Sequence, residues 1–120
     1  MLLRIEYGVS LDKLIIKSKL KFHKVIVKFV TAQILLILEY LHRNNVLYRD
    51  LKASNIVLNR IGQVKLLDFG LAVKLDEKKK KRKSFCGTLH CMAPEFFLSQ
   101  PYSFEVDYFA LGILSYELTY

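Results

Sequence analysis

Residues 46–58 read VLYRDLKASNIVL. Asp50, Lys52 and Asn55 put a potential base, a cation and a carboxamide into six residues, with Arg49 and Ser54 beside them. The apolar triplets Val46–Tyr48 and Ile56–Leu58 flank this polar burst. Both triplets favour burial, so they would clamp the polar loop between them. Taken alone, Arg49-Asp50 reads as a local surface ion pair and Lys52 as a solvated loop lysine. Two further clusters follow in order, Asp68-Phe69-Gly70 and Ala93-Pro94-Glu95. Cys86, His90 and Cys91 could suggest zinc, but they crowd into six residues without the usual ligand spacing, and no metal is expected there.

These residues need elements to position them. Leu11 to Ser18 has helical spacing, with Leu11, Leu14 and Ile15 on one face. Lys24 to Arg43 is the longest helical candidate: Val27, Val30, Ile34, Ile37 and Leu41 recur at three and four residues. Leu35 and Leu38 widen that stripe, as in a helix buried within a larger domain. Val46–Tyr48, Ile56–Leu58 and Val64–Leu67 are strand-length runs. The last two form a predicted hairpin around Asn59-Arg60-Ile61-Gly62. Asp76 to Ser84 reads as a charged loop. Pro94 opens a short helix, and Phe104 to Tyr120 is helical with Ser103 as its expected cap. His23 and His42 are expected at the surface or at helix ends.

The chain has 120 residues, enough for one modest domain, and at 52% hydrophobic it is not a disordered chain. Of the net charge of +8, a single run, Lys78 to Lys83, contributes six positive charges. The basicity is local, so nucleic acid is not an expected partner of the fold as a whole. The run reads as a solvated loop, and it is also compatible with a nuclear address. Two cysteines are too few for a disulfide framework and suit a reducing compartment. The start MLLRIEYG is too short and too soon charged for a signal peptide. The apolar segment Phe29–Leu38 falls short of the ~20 residues that span a bilayer. The expectation is a soluble, intracellular, cytoplasmic protein with no membrane partner.

Tyr48-Arg49-Asp50-Leu51-Lys52-Ala53-Ser54-Asn55 resembles the catalytic loop of protein kinases, and Asp68-Phe69-Gly70 and Ala93-Pro94-Glu95 follow as they do in that family. The resemblance runs from Glu6-Tyr7, like the hinge between kinase lobes, to Asp107-Tyr108-Phe109-Ala110-Leu111-Gly112, like the central helix of the large lobe. Tyr48 and Cys86-Gly87-Thr88 look like the cyclic-nucleotide-dependent and related serine/threonine kinases. The resemblance implies an α+β, protein-kinase-like fold: the mostly helical core of the large lobe with a small β-hairpin, the small lobe absent. It implies one partial domain over residues 1–120. It implies ATP and Mg²⁺ as cofactors and a protein substrate with Ser or Thr. Asp50 would accept or orient the proton of the attacking hydroxyl, and Lys52 would sit against the transferring phosphate. Asn55 and Asp68 would hold Mg²⁺. Val57 resembles the floor under adenine, and Glu6 and Gly8 resemble hinge positions that pair with its edge. Thr88 resembles the threonine that bonds the catalytic aspartate and lysine. Phe69 and Tyr48 resemble members of an apolar spine anchored by Asp107, which would accept hydrogen bonds from the catalytic-loop backbone. Ser84 lies where these kinases carry an activating phosphate, placed by another kinase, with Arg49 as its pairing cation.

Three departures accompany the resemblance. Ala53-Ser54 stands where these kinases usually show Pro-Glu, which bears on any preference for basic substrates. Gly8-Val9-Ser10 shortens the glycine pair and acid after the hinge. Tyr108-Phe109 replaces a tryptophan pair. Residues 1–120 contain no glycine-rich loop, no strand lysine for the α- and β-phosphates, and no arginine partner for Glu95. The chain is therefore expected to represent the middle of a kinase domain, inactive and poorly soluble when isolated. Two function classes stand: an ATP-dependent serine/threonine protein kinase, or a non-catalytic kinase-like interaction module.

Overall fold

The computed structural model describes residues 8–17, 22–78 and 81–120. Glu6, Ser18, Lys79 and Lys80 lie outside the described residues. Helix α1 covers Leu11–Lys17 and α2 covers Lys24–Arg43, matching the predicted bounds of the long helix. His23 caps α2, its ring Nδ1 accepting from the Val25 amide. Asn45, at φ 57°, takes the chain out of the helix through the left-handed region. The buried row of α2 is Val27, Val30, Ile34, Leu38 and His42. It meets α4 (Glu105–Thr119), which buries Val106, Asp107, Ala110, Leu111, Leu114 and Leu118. Thr31 and Ser115 join hydroxyls at 3.1 Å across this contact. Ile34, Leu38 and Leu114 lose all their exposure, worth about 1.5–3 kcal/mol each.

As its sequence implies, α2 stays apolar beyond that row, with Val25, Ile26, Phe29, Leu35, Leu36 and Tyr40 exposed. The whole helix is long and apolar enough to cross a membrane by length and composition, which the shorter segment Phe29–Leu38 did not suggest. Core helices of globular domains pass the same test, and this one packs its buried row against α4 and the hairpin.

The predicted hairpin forms from β3 (Ile56–Leu58) and β4 (Val64–Leu66), with Ile56 opposite Leu66 and Leu58 opposite Val64. The Asn59 side chain shapes the turn by accepting from the Ile61 and Gln63 amides at 3.1 and 2.8 Å. Gln33 of α2 then grips the hairpin: its amide donates to Gly62 O at 2.9 Å and accepts from Val64 N at 3.1 Å. Two pairings go beyond the single expected hairpin. Strand β1 (Val9–Ser10) joins β3 antiparallel, making a three-stranded sheet. Strand β2 (Val46–Leu47) pairs with β5 (Val73–Lys74) as a separate antiparallel ribbon. Strand β2 falls within the expected run Val46–Tyr48, whereas β1 and β5, two residues each, are too short to carry a period-two pattern. Ser103 does not cap α4. The helix starts after Phe104, and the Glu105 carboxylate reaches back to the Ser103 amide at 2.8 Å.

Pro94–Phe97 forms the short helix α3. A second apolar cluster gathers Leu47, Leu75, Met92, Phe96, Tyr102 and Val106, tying α3 and the ribbon to the start of α4.

Ile34→Ala should lower stability by about 2–5 kcal/mol in urea unfolding, because a fully enclosed side chain leaves a cavity. Leu36→Ala, two residues on but 64% exposed, should change it by no more than about 0.5 kcal/mol.

Candidate active site

The polar loop hangs from one carboxylate. Asp107, 1% exposed in the first turn of α4, accepts from the Tyr48 amide at 3.0 Å and the Arg49 amide at 2.8 Å. Its Oδ2 also meets His42 Nε2 at 2.8 Å. His42 Nδ1 is 3.1 Å from the Tyr108 hydroxyl, and the ring stacks on Phe104 with centroids 4.4 Å apart. The histidine expected at a surface or helix end is therefore at the end of α2 but buried. Arg49 sits at φ 68°, a left-handed conformation that costs free energy for a residue with a Cβ. The hydrogen bond from its amide to Asp107 offsets that cost.

This bend sets Asp50 at the focus of several donors. Asp50 is 8% exposed. Its Oδ1 accepts from the Thr88 hydroxyl at 3.0 Å and lies 3.3 Å from Lys52 Nζ. Lys52 Nζ in turn donates to Thr88 Oγ1 at 2.9 Å. The Asn55 amide nitrogen donates to Asp50 O at 2.8 Å and to Asp50 Oδ2 at 3.0 Å. Asp50, Lys52, Asn55 and Thr88 thus form one bonded group, although Thr88 is distant in sequence.

Asp68 follows the hairpin. The Leu67 amide donates to Asn55 O at 2.8 Å, so the base of the hairpin holds Asp68 next to the loop. Asp68 is exposed at φ 56°, and its Oδ1 accepts from the Gly70 amide at 3.0 Å. The Tyr48 ring is fully buried, donates its hydroxyl to Leu67 O, and meets Phe69 edge-on at 5.2 Å. Burial first, then the carboxylates of Asp50, Asp68 and Asp107, push the Tyr48 phenol far above its usual range, so it remains a donor. Phe69, read as a spine member, keeps 48% of its surface exposed. Gly8 and Val57 are brought together by the β1–β3 pairing. A Cβ on Gly8 would stand 2.1 Å from Val57 Cγ1, so the close approach requires glycine. Glu6 lies outside the described residues.

Ser84 also reaches the loop. Its hydroxyl accepts from Arg49 NH1 at 2.7 Å, and Tyr102 donates its own hydroxyl to Ser84 O at 2.6 Å. Arg49 Nε donates to Leu71 O at 2.8 Å, so one guanidinium touches the segments on both sides of the basic run. Gly87, at φ 109°, passes so close that a Cβ would stand 2.9 Å from Arg49 O. Backbone bonds of 2.8 Å in both directions between Arg82 and Tyr102 pin the end of the basic run.

Sequence reasoning missed Tyr102, which is fully buried and central to this contact. It stands in a loop after Pro101, where no periodic pattern could have flagged it. Gln33 escaped for the same reason, as a polar residue inside an apolar helix. Beside Lys52 lies a pocket of about 510 Å³, whose lining includes Asp12, Ser54, His90, Tyr116 and Glu117.

A protein kinase domain model matches residues 1–120, and the chain belongs to that family. It resembles the cyclic-nucleotide-dependent and related serine/threonine kinases. It is 47% identical to rhodopsin kinase GRK1 of Rattus norvegicus over 90 residues, 75% of this chain and 16% of that protein. It is 45% identical to ribosomal protein S6 kinase alpha-6 of Mus musculus over 92 residues, 77% of this chain and 12% of that protein. It is 42% identical to cGMP-dependent protein kinase, isozyme 2 forms cD5/T2, of Drosophila melanogaster over 104 residues, 87% of this chain and 11% of that protein. The chain spans less than a fifth of the length of these three curated relatives.

Cys91 borders the Asp50 group. Burial, then the carboxylates of Glu117 and Asp50, push its thiol up to about 11, against the pull of Lys52. At pH 8 only about one molecule in a thousand would carry the reactive thiolate. Alkylation of Cys91 by iodoacetamide should therefore be slower than that of glutathione at pH 8. The rate should rise about tenfold per pH unit up to near pH 11. Mass spectrometry of the Cys91 peptide checks both.

Proposed function

We propose that this chain carries the catalytic centre of a serine/threonine protein kinase, which transfers the γ-phosphoryl group of ATP to a protein hydroxyl. The observation that carries the reading is the bonded group of Asp50, Lys52, Asn55 and Thr88. Asp50 presents a carboxylate oriented by two neutral donors. It would take the proton of an incoming hydroxyl as that oxygen attacks phosphorus. Lys52, held against Thr88, would stabilise the charge that moves onto the phosphoryl oxygens. Val57 would form the floor under the base of the nucleotide, with the Gly8 backbone close beside it as the hinge position that pairs with the base edge.

Members of the family generally use Mg²⁺. The residues here fit such an ion. Asn55 spends its amide nitrogen on Asp50, which leaves its carboxamide oxygen as a donor, and Asp68 supplies a carboxylate. Bound there, the ion would neutralise charge on the nucleotide phosphates.

Ser84 is the proposed site of an activating phosphate, added by another kinase. Its hydroxyl already lies 2.7 Å from the Arg49 guanidinium. A phosphate there would replace the neutral hydroxyl acceptor with an anion and turn the contact into an ion pair. Arg49 would then be held more firmly, and with it the backbone that presents Asp50.

If the chain belongs to a complete kinase, two substitutions in that protein separate the roles. Asp50→Asn should lower turnover by about 10²–10⁴-fold with little change in ATP affinity, the usual worth of a positioned base. Asp68→Asn should instead weaken Mg²⁺-dependent nucleotide binding. Steady-state kinetics and nucleotide titration read the two effects. Equal and small losses from both would sink the reading.

A further inference from the structure

Outside the Asp50 group, three donors of different chemistry converge from two elements. His90 and Cys91 come from the tight turn Leu89–Cys91, and Glu117 from the last turn of α4. Their ligand atoms all lie within 4.8 Å of one another, and His90 Nε2 stands 3.6 Å from Glu117 Oε1. In a tetrahedral zinc site with bonds of about 2.0–2.3 Å, neighbouring donor atoms stand roughly 3.3–3.8 Å apart. One pair is already at that separation, and the thiol needs to close by only about 1 Å. From sequence, Cys86, His90 and Cys91 had the wrong spacing for zinc. The fold replaces Cys86 with Glu117, a donor that no local spacing could reveal.

As a simple ion pair, His90 and Glu117 would contribute little, since their side chains are 61% and 33% exposed. That pair leaves unexplained a buried thiol pointing at the same spot. We propose that His90 Nε2, Cys91 Sγ and Glu117 form a Zn²⁺ site. The donor set selects the metal. A thiolate disfavours Mg²⁺ and Ca²⁺, which take oxygen ligands, whereas nitrogen, sulfur and carboxylate together suit Zn²⁺. His90 and Glu117 also line the 510 Å³ pocket, so water from that side can take the fourth position. On binding, a Zn–S bond forms and the Cys91 S–H bond breaks, with its proton released to solvent. His90 coordinates as the neutral imidazole and Glu117 as the carboxylate, and nothing is oxidised or reduced.

The site would tie the turn that begins at Thr88 to α4. It does not depend on the kinase reading, because its test is metal binding rather than phosphoryl transfer. Co²⁺ is the spectroscopic stand-in for Zn²⁺. Titrated into the reduced full chain, Co²⁺ should give a thiolate-to-cobalt charge-transfer band that saturates at one ion per chain. Zn²⁺ should then abolish the band. Cys91→Ser should remove it and Cys86→Ser should keep it. His90→Ala and Glu117→Gln should each weaken Co²⁺ binding by about tenfold or more, the loss that even an outer-shell partner commonly causes. Circular dichroism checks that each variant is folded, and the two more exposed positions decide the matter if Cys91→Ser unfolds. No sulfur band, a band that survives Cys91→Ser, or unchanged affinity in both His90→Ala and Glu117→Gln would overturn the proposal.

Discussion

Everything around the polar loop depends on how one buried carboxylate is satisfied. Asp107 loses nearly all contact with water, which is costly unless hydrogen-bond donors replace it. Three do: two consecutive loop amides and the His42 ring. Each donor is itself buried or backbone, so none can be withdrawn without stranding a polar group. The consequence is geometric. Helix α4 fixes the carboxylate, the carboxylate fixes Tyr48 and Arg49, and their conformation aims Asp50. His42 adds the end of α2 to the same point, so both long helices meet the loop at a single charge.

The segment after Asp68 reaches that loop at several places. Arg49 touches Leu71 and Ser84, Lys52 touches Thr88, and Gly87 lies against the Arg49 carbonyl. Tyr102 closes the arrangement from behind with its own hydroxyl. The loop and the segment therefore act as one hydrogen-bonded body rather than two surfaces in loose contact. Any change of charge on Ser84 would be felt first by Arg49. That residue holds a costly backbone conformation one position before Asp50.

The long elements could be read directly from the sequence. The stripe of Val27, Val30, Ile34, Ile37 and Leu41 repeats over enough turns to exceed noise, and α2 has the predicted ends, although its buried row continues through Leu38 to His42 and leaves Leu35 exposed. The hairpin was also visible, because strand-length apolar runs flank the turn Asn59-Arg60-Ile61-Gly62. The run Val46–Tyr48 marked β2 but not its partner, and β1 and β5 were hidden, since a two-residue strand is defined by its partner and not by its own pattern. Among the site residues, types and order pointed to Asp50, Lys52, Asn55 and Thr88, and the structure brings them into contact. Tyr102, the buried His42 and the approach of Glu117 to His90 were hidden. Each depends on a tertiary contact between residues far apart in the chain.

Gln33 has an implication of a different kind. Strand β4 is the outer strand of its sheet, and an outer strand offers unpaired amides to any other chain that can lie alongside. One such amide, Val64 N, is already taken by the Gln33 side chain, which also holds the carbonyl of Gly62 at the turn. A side-chain amide carries the same donor and acceptor as a peptide group, so Gln33 imitates a short piece of neighbouring strand without being one. It fills the place where a foreign chain would begin to pair. A strand from a second copy would have to displace Gln33 before it could pair there.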